Sequence, residues 1–335
     1  MASIRIPIET ITFELERILT KNGFTLDRAT ILARVFMENS RDGVASHGLN
    51  RFPLFIKHVE LGHVNISADP ELLISSGALE RWDGLKGPGI SNALFCADRA
   101  VVLARKHGIG CVALRNTNHW MRGGTYGWRA VEQGCAMICW TNTKPNMPYW
   151  GSSEYRTGNN PMVLAIPRES GPIVLDMALT QYSYGKLEVL KQKGDLLPFF
   201  GGFDKNGNLS KEPAAILEKE TGLPIGYWKG SALSLLLDLL AALLSDGRTT
   251  QEIGKHDPET VLSQVFIAFD VSNSALYAQA KEAIEESIDE LQRSHPVTEG
   301  ESVVYPGERV LQTRRESIEK GVVVDAATWK TILTM

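Results

Sequence analysis

Apolar residues recur at helical spacing through much of the first 60 positions. Thr25, Asp27 and Arg28 open a stretch in which Ile31, Leu32, Val35 and Phe36 share one stripe, which predicts an amphipathic helix running down near Gly43. A further helix is predicted over 49–61, with Phe52, Phe55, Ile56 and Val59 on one face and Gly62 as its stop. Residues 43–48 break the pattern between them and expose polar side chains. From residue 72 the pattern changes: 72–76 and 78–82 read as strands turning at Gly77. Helices at 90–106 and 124–133 then alternate with strands at 111–115 and 136–141. Two more strands, 162–167 and 173–177, flank a turn at 169–172.

A glycine-rich segment at 194–207 leads to a strongly apolar helix at 230–244, expected to lie buried, and to a strand at 264–270. A long amphipathic helix is predicted over 274–293, with Leu276, Ala280, Ala283, Ile284, Ile288 and Leu291 on one face. The tail reads as two short helices around 322–324. The mixture predicts an α/β (α+β mixed) architecture in three parts: an N-terminal helical part (1–68), a central sheet domain (69–270) and a C-terminal helical part (271–335) that packs with the N-terminal helices. Strand pairing is not readable from these patterns.

The 335 residues are 43% apolar and 22% charged, ordinary values for a globular protein, and the net charge of −4 comes without a basic stripe for nucleic acid. Residues 1–20 carry Glu9, Glu14 and Glu16 and lack the apolar core of a signal peptide. The most apolar stretch, 231–244, is too short to cross a bilayer and holds Asp238. Cys96, Cys111, Cys135 and Cys139 show no metal-ligand spacing. No metal site is expected, and the thiols read as reduced and structural. A cytoplasmic protein with no membrane partner is the expectation.

Five segments carry candidate chemistry. Ser46, His47 and Arg51 sit at a helix start, where His47 and Arg51, four apart, would share a face. A ketone reduction needs a proton donor and a cationic fork for a carboxylate, which histidine and arginine supply; a capping serine beside a solvated arginine is equally compatible. The run 115–127, with His119 and the pair Gly123 and Gly124, follows a strand and precedes a helix, where α/β proteins hold ligands, or makes an ordinary turn there. Asp176 ends the apolar run 173–175, able to orient a histidine or to cap a helix at Ala178. Trp228 and Lys229 open the apolar helix, offering phosphate donors and a ring for stacking or for the core. Pro306, Gly307 and Glu308 begin a late helix with a carboxylate able to hold a ribose hydroxyl. His58, His63, His107, His256 and His295 show no partner pattern. G-x-G-x-x-G is absent: the clusters at Gly84, Gly87 and Gly89, at Gly123, Gly124 and Gly127, and at Gly201 and Gly202 do not complete it.

The segments SHGLNRFP (46–53), HGIGCVALRNTNHWMRGGTYGW (107–128), ICWTNT (138–143), GYWKGSALS (226–234), SDG (245–247) and YPGE (305–308) are similar to those of the malate/L-lactate dehydrogenase family of non-Rossmann oxidoreductases. The resemblance spans nearly the whole chain. It implies a central sheet domain binding NAD(P)H without a Rossmann fold, a helical domain from the two chain ends, and a homodimer with clefts near the subunit interface. It places the proton donor on His47. It places cofactor contacts on Pro172, Ile173, Val174, Leu175, Asp176, Met177 and Ala178, on Trp228 and Lys229, and on Pro306, Gly307 and Glu308. Chemistry and position assign Asp176 or His119 to set the charge and orientation of His47, and Ser46 and Arg51 to substrate. The implied cofactor is NADH, with Arg309 leaving room for the 2′-phosphate of NADPH; the implied partner is a small 2-keto acid, held by side chains around Trp120, Met121 and Met147.

Overall fold

The computed structural model describes residues 3–152, 154–219, 221–256, 258–273 and 275–335. The chain opens with a short strand, β1 (Ser3–Ile6), then helices α1 (Ile8–Lys21) and α2 (Leu26–Arg41), a 3-10 turn at Ala45–His47, and α3 (Phe52–Glu60). The hairpin β2 (Glu71–Ser76) and β3 (Leu79–Asp83) follows, then α4 (Gly89–His107), β4 (Ile109–Thr117), α5 (Gly124–Glu132) and β5 (Cys135–Thr141). A two-residue strand β6 (Met147–Pro148) pairs with β7 (Tyr155–Thr157) before β8 (Met162–Ile166) and β9 (Ile173–Met177). An excursion follows: α6 (Tyr184–Lys193), the pair β10 (Gly202–Phe203) and β11 (Leu209–Ser210), and α7 (Pro213–Lys219). The rest is α8 (Trp228–Ser245), α9 (Thr250–Ile253), β12 (Leu262–Asp270), α10 (Ala278–Arg293), α11 (Glu308–Lys320), β13 (Val322–Asp325) and α12 (Ala326–Leu333).

Seven strands form one sheet in the order β2-β3-β4-β12-β5-β8-β9. Only β3 and β4 run parallel, joined by α4; all other neighbours are antiparallel. A Rossmann crevice needs parallel strands diverging from a switch point. One parallel pair cannot build it, so the missing glycine fingerprint and the sheet agree. β12 arrives late in sequence and inserts between β4 and β5, a pairing that local periodicity cannot reveal.

The sheet separates two cores. Cys139, Val163, Phe266 and Ala268 face the side of α4, where the apolar stripes of α1–α3 also collect. Ala113, Trp140 and Val265 face the other side, with Leu237 and Ala241 of α8. The chain ends meet: β1 pairs with β13 from Ser3 against Asp325 to Ile6 against Val322. Residues 322–324, read as the break between two helices, are thus a strand, and β1 was not foreseen because a four-residue edge has too few alternations to register.

Three expectations are corrected. The predicted buried helix, α8, is buried on one face alone: Leu236, Leu239, Leu240 and Leu243 are exposed, Leu243 to 72%. Its 18 residues also make it, among the described residues, the one helix long and apolar enough to cross a membrane. Its inward face is tied down by buried Asp238, which accepts from Asn142 Nδ2 at 2.9 Å and from the Thr250 N–H at 2.8 Å. The long amphipathic helix buries Ile288 alone; Ile284 and Leu291 are half-buried, Leu276, Ala280 and Ala283 are exposed, and its expected first residue, Ser274, lies outside the described residues. The segment before 230 is not only irregular, since α6 and α7 share a small core of Leu187, Leu197 and Ile216. All four cysteines are free thiols, and burial pushes that of Cys111 up to about 11.

Candidate active site

The loop between β4 and α5 carries the densest chemistry. Asn118 anchors it by donating through Nδ2 to the Lys86 and Gly87 carbonyls at 2.7 and 3.0 Å. Trp120 turns inward onto Tyr126 and Phe266, fully buried. His119 lines the cavity beyond, together with Met121, which is itself buried in the same core as Trp120. The Met121 N–H donates to His119 Nδ1 at 2.9 Å, so the His119 proton sits on Nε2. Burial holds the His119 imidazole well below its ordinary value, and the charges of Arg51, His47 and His58 push it the same way. His119 is a neutral donor.

The 3-10 turn presents His47. Asn39 Nδ2 holds the His47 carbonyl at 3.0 Å, and Ser46 Oγ lies 3.0 Å from His47 Nδ1, leaving Nε2 for a ligand. The two imidazoles lie nearly parallel, ring centres 5.8 Å apart at 22°. Burial lowers the His47 pKa; Asp176 opposes it, while Arg51 and Arg122 reinforce it. Arg51 is the residue before α3, not a member of it, because Pro53 in the first turn fixes the start at Phe52. His47 and Arg51 therefore do not share a helical face as the spacing suggested; the turn at Gly48 brings both to one cavity instead. The Arg51 guanidinium makes no ion pair among the described residues.

Asp176 does not cap a helix at Ala178, where none exists. It caps α5: its Oδ2 accepts the Gly124 N–H at 2.9 Å. A Cβ on Gly124 would lie 2.7 Å from that oxygen, so the position needs glycine. No hydrogen bond joins Asp176 to His47 among the described residues, so the carboxylate acts on the imidazole through its field. Behind it stands Arg122, buried, with Nε 3.7 Å from Asp176 and Nη1 2.8 Å from Asp42. Asp42 also accepts two bonds from Arg314, at 2.9 and 2.7 Å, and one from Arg41 at 2.9 Å. Burial alone would raise the Asp42 carboxyl, but the Arg314 bond and the charges of Arg122 and Arg41 outweigh it and hold it below the usual carboxylate value.

Ser46, His47, Arg51, His119 and Asp176 line one cavity of about 660 Å³. Of the expected cofactor residues, Val174, Leu175, Asp176, Ala178, Pro306 and Gly307 line it too, whereas Pro172, Ile173, Met177, Trp228, Lys229 and Glu308 do not. Trp228 and Lys229 are exposed at the head of α8, and Glu308 is engaged by Gln292 Nε2 and by the Tyr305 N–H. Of the expected substrate side chains, all three are buried in the core, and Met121 alone also lines the cavity. Arg122, Asn159 and Tyr184 were not foreseen as wall residues. The motif Asn159-Asn160-Pro161, polar residues between two strands, was the available signal for Asn159.

The wall fits a nicotinamide nucleotide. Val174, Leu175, Ala178, Pro306 and Val310 give apolar faces, and α11 opens on the cavity; its Glu308 N–H donates to the Tyr305 carbonyl, while those of Arg309 and Val310 meet no acceptor among the described residues and suit a phosphate. Gly307, at φ +98°, lets that turn close on β9: its Cβ would sit 3.1 Å from the Val174 nitrogen and 3.3 Å from the Trp128 ring. The Val174 N–H donates to the Pro306 carbonyl at 2.9 Å, fixing the two walls together.

Two nearly parallel histidines, an arginine with no ion pair among the described residues and such a wall suit a dehydrogenase or reductase without a Rossmann fold. A profile of the malate/L-lactate dehydrogenase family matches residues 6–333, and the chain belongs to that family of oxidoreductases. It is 41% identical over 331 residues to the 2,3-diketo-L-gulonate reductase of Citrobacter koseri, covering 98% of this chain and 99% of that one. The sulfolactate dehydrogenase of Methanocaldococcus jannaschii superposes with a TM-score of 0.88 at 28% identity, over 98% of this chain and 95% of that one. The malate dehydrogenase of Entamoeba histolytica, at 22% identity, shares the fold with a TM-score of 0.92 over 99% and 97% of the two chains.

Proposed function

We propose that the chain reduces 2,3-diketo-L-gulonate to 3-keto-L-gulonate with NADH, as a cytoplasmic enzyme. The observation that carries this reading is a half-buried imidazole, His47, beside an arginine with no ion-pair partner among the described residues, in the cavity that β9 and α11 wall. A reduced nicotinamide held against Val174, Leu175, Pro306 and Gly307 would supply hydride for the C2 carbonyl carbon. Arg51 pairs with the C1 carboxylate. His47 Nε2 gives its proton to the carbonyl oxygen as the C=O double bond opens, and the His119 Nε2–H steadies that oxygen. Asp176 favours the charged state of His47 through space. A panel of 2-keto and 2,3-diketo acids, followed by loss of NADH absorbance and repeated with NADPH, tests the reading. A clear preference for malate or lactate chemistry would overturn the substrate assignment.

A pH profile follows from the same groups. Reduction needs His47 protonated, and in the free enzyme its pKa lies below the ordinary histidine value of about 6.5. kcat/KM for reduction is expected to rise toward acid and level off below that value. A carboxylate on Arg51 removes one of the charges that lower His47, so the kcat profile should inflect at higher pH than kcat/KM. Asp176→Asn should move both inflections to lower pH. Profiles that coincide for kcat and kcat/KM, or that ignore Asp176, would contradict this coupling.

We propose further that two chains associate through the outer face of α8, whose four exposed leucines are more apolar surface than a solvated helix carries. Trp228 and Lys229 head the same helix and would reach the cofactor where the chains meet. Leu240→Asp with Leu243→Asp is expected to convert a dimer to monomers in sedimentation and to weaken NADH binding. A wild-type monomer would rule the arrangement out.

A further inference from the structure

Next to the cavity described above lies a second, of about 440 Å³. The two share Arg51, His119, Met121, Thr143, Asn159 and Tyr184 as walls, so the second continues from the place where Arg51 and His119 would hold a keto acid. A three-carbon substrate with its carboxylate on Arg51 and its carbonyl at His47 leaves the second cavity to water. The far wall sets polar His58, Lys144, Asn146 and Glu259 beside apolar Leu54, Phe55, Val64 and Pro258.

The hydrogen bonds within this wall are incomplete in a particular way. Asn146 Nδ2 and Thr143 Oγ1 both donate to Asn159 Oδ1, at 3.0 and 3.2 Å. Asn146 Oδ1 is buried and accepts from no described residue. The Asn159 amide NH₂ donates to none of them either. Glu259 spends one oxygen on the Lys144 N–H, at 2.8 Å, which keeps its carboxylate at the cavity and leaves the second oxygen as an acceptor. A spare acceptor beside a spare donor is what a hydroxyl group satisfies, since it donates once and accepts twice. A carboxylate adds the acceptor that two neighbouring hydroxyls can share. An apolar tail would strand these groups at about 1–3 kcal/mol each, which argues against the larger aliphatic keto acids.

From this we infer that the second cavity is a binding subsite for the hydroxylated tail of a sugar acid, recognised by Asn146, Asn159 and Glu259. The inference rests on the keto-acid reduction proposed above and adds the residues that select a polyhydroxylated six-carbon substrate over a short one. Asn146 and Glu259 are specificity residues that touch the tail, not the reacting carbonyl.

The test compares kcat/KM for 2,3-diketo-L-gulonate with kcat/KM for pyruvate, in the wild type and in Glu259→Gln and Asn146→Leu. Glu259→Gln keeps the acceptor for the Lys144 N–H, so at least this variant should fold. Losing a hydrogen bond to a charged group lowers the six-carbon to three-carbon ratio by about 10–100-fold, and losing a neutral one by about 3–10-fold. The expected result is a falling ratio driven by KM for the six-carbon acid. A ratio unchanged in Glu259→Gln and Asn146→Leu, or a wild type that handles pyruvate as well as the six-carbon acid, overturns the subsite while the reduction itself stands. A wild type that oxidises NADH with no 2-keto acid overturns the reaction instead.

Discussion

Replacing His47 by glutamine is expected to lower kcat for keto-acid reduction by about 10²–10⁴-fold, the range general acid catalysis supplies, with NADH affinity little changed. Glutamine keeps a polar side chain of similar reach but cannot give up a proton at neutral pH. Burial that holds the His47 pKa low has two consequences. It makes the protonated imidazole a stronger acid toward a developing alkoxide, and it makes that form scarcer before substrate arrives. The glutamine variant should therefore lose the alkaline decline of the rate along with the rate itself. His119→Gln provides the control: with Nδ1 committed to the Met121 N–H, His119 titrates far below neutrality, and its loss should lower the rate without flattening the profile. NADH binding by fluorescence and single-turnover rates separate the two effects. A His47→Gln chain within a factor of three of wild type in kcat would remove the residue from the chemistry.

Asp42→Leu is expected to be among the most destabilising single changes in the protein, by about 3–5 kcal/mol. The carboxylate is 2% exposed and faces Arg41, Arg122 and Arg314. Leucine fills the volume but leaves three guanidinium groups facing each other, Arg122 itself 3% exposed. Denaturant unfolding of wild type and variant measures the difference. The same site predicts acid sensitivity. Because the folded-state pKa of Asp42 is lowered, its contribution is fully present above the unfolded carboxylate value of about 3.9 and is lost as pH falls through the folded value. The variant should lack this part of the acid loss. An Asp42→Leu chain as stable as wild type would mean that apolar packing replaces the ion cluster without loss.

How much was readable without coordinates depends on the range of the interaction. Helices α2, α4 and α5 and the hairpin of β2 and β3 emerge from periodicity and from Gly77, because their burial pattern is set by neighbours within a few residues. β12 between β4 and β5, and β1 against β13, depend on partners more than 100 residues away, where local pattern is silent. In the site, His47, Arg51, His119 and Asp176 were legible because each is a polar group at the end of an apolar element. Arg122 was not: an arginine next to two glycines looks like a surface turn until Asp42 arrives from α2. The exposed side of α8 was misread for a related reason, since composition reports how apolar a helix is and not what covers it.

On the reduction proposed above, the bond from the Met121 amide to His119 would bear on how the enzyme recovers between turnovers. Each reduction would leave the His47 ring one proton short. A ring already locked in its neutral tautomer cannot relay a replacement from the interior side. The refill would come from the opposite edge, where the hydroxyl of exposed Ser46 lies 3.0 Å from Nδ1. On that reading one small, exposed alcohol would link bulk solvent to the proton donor.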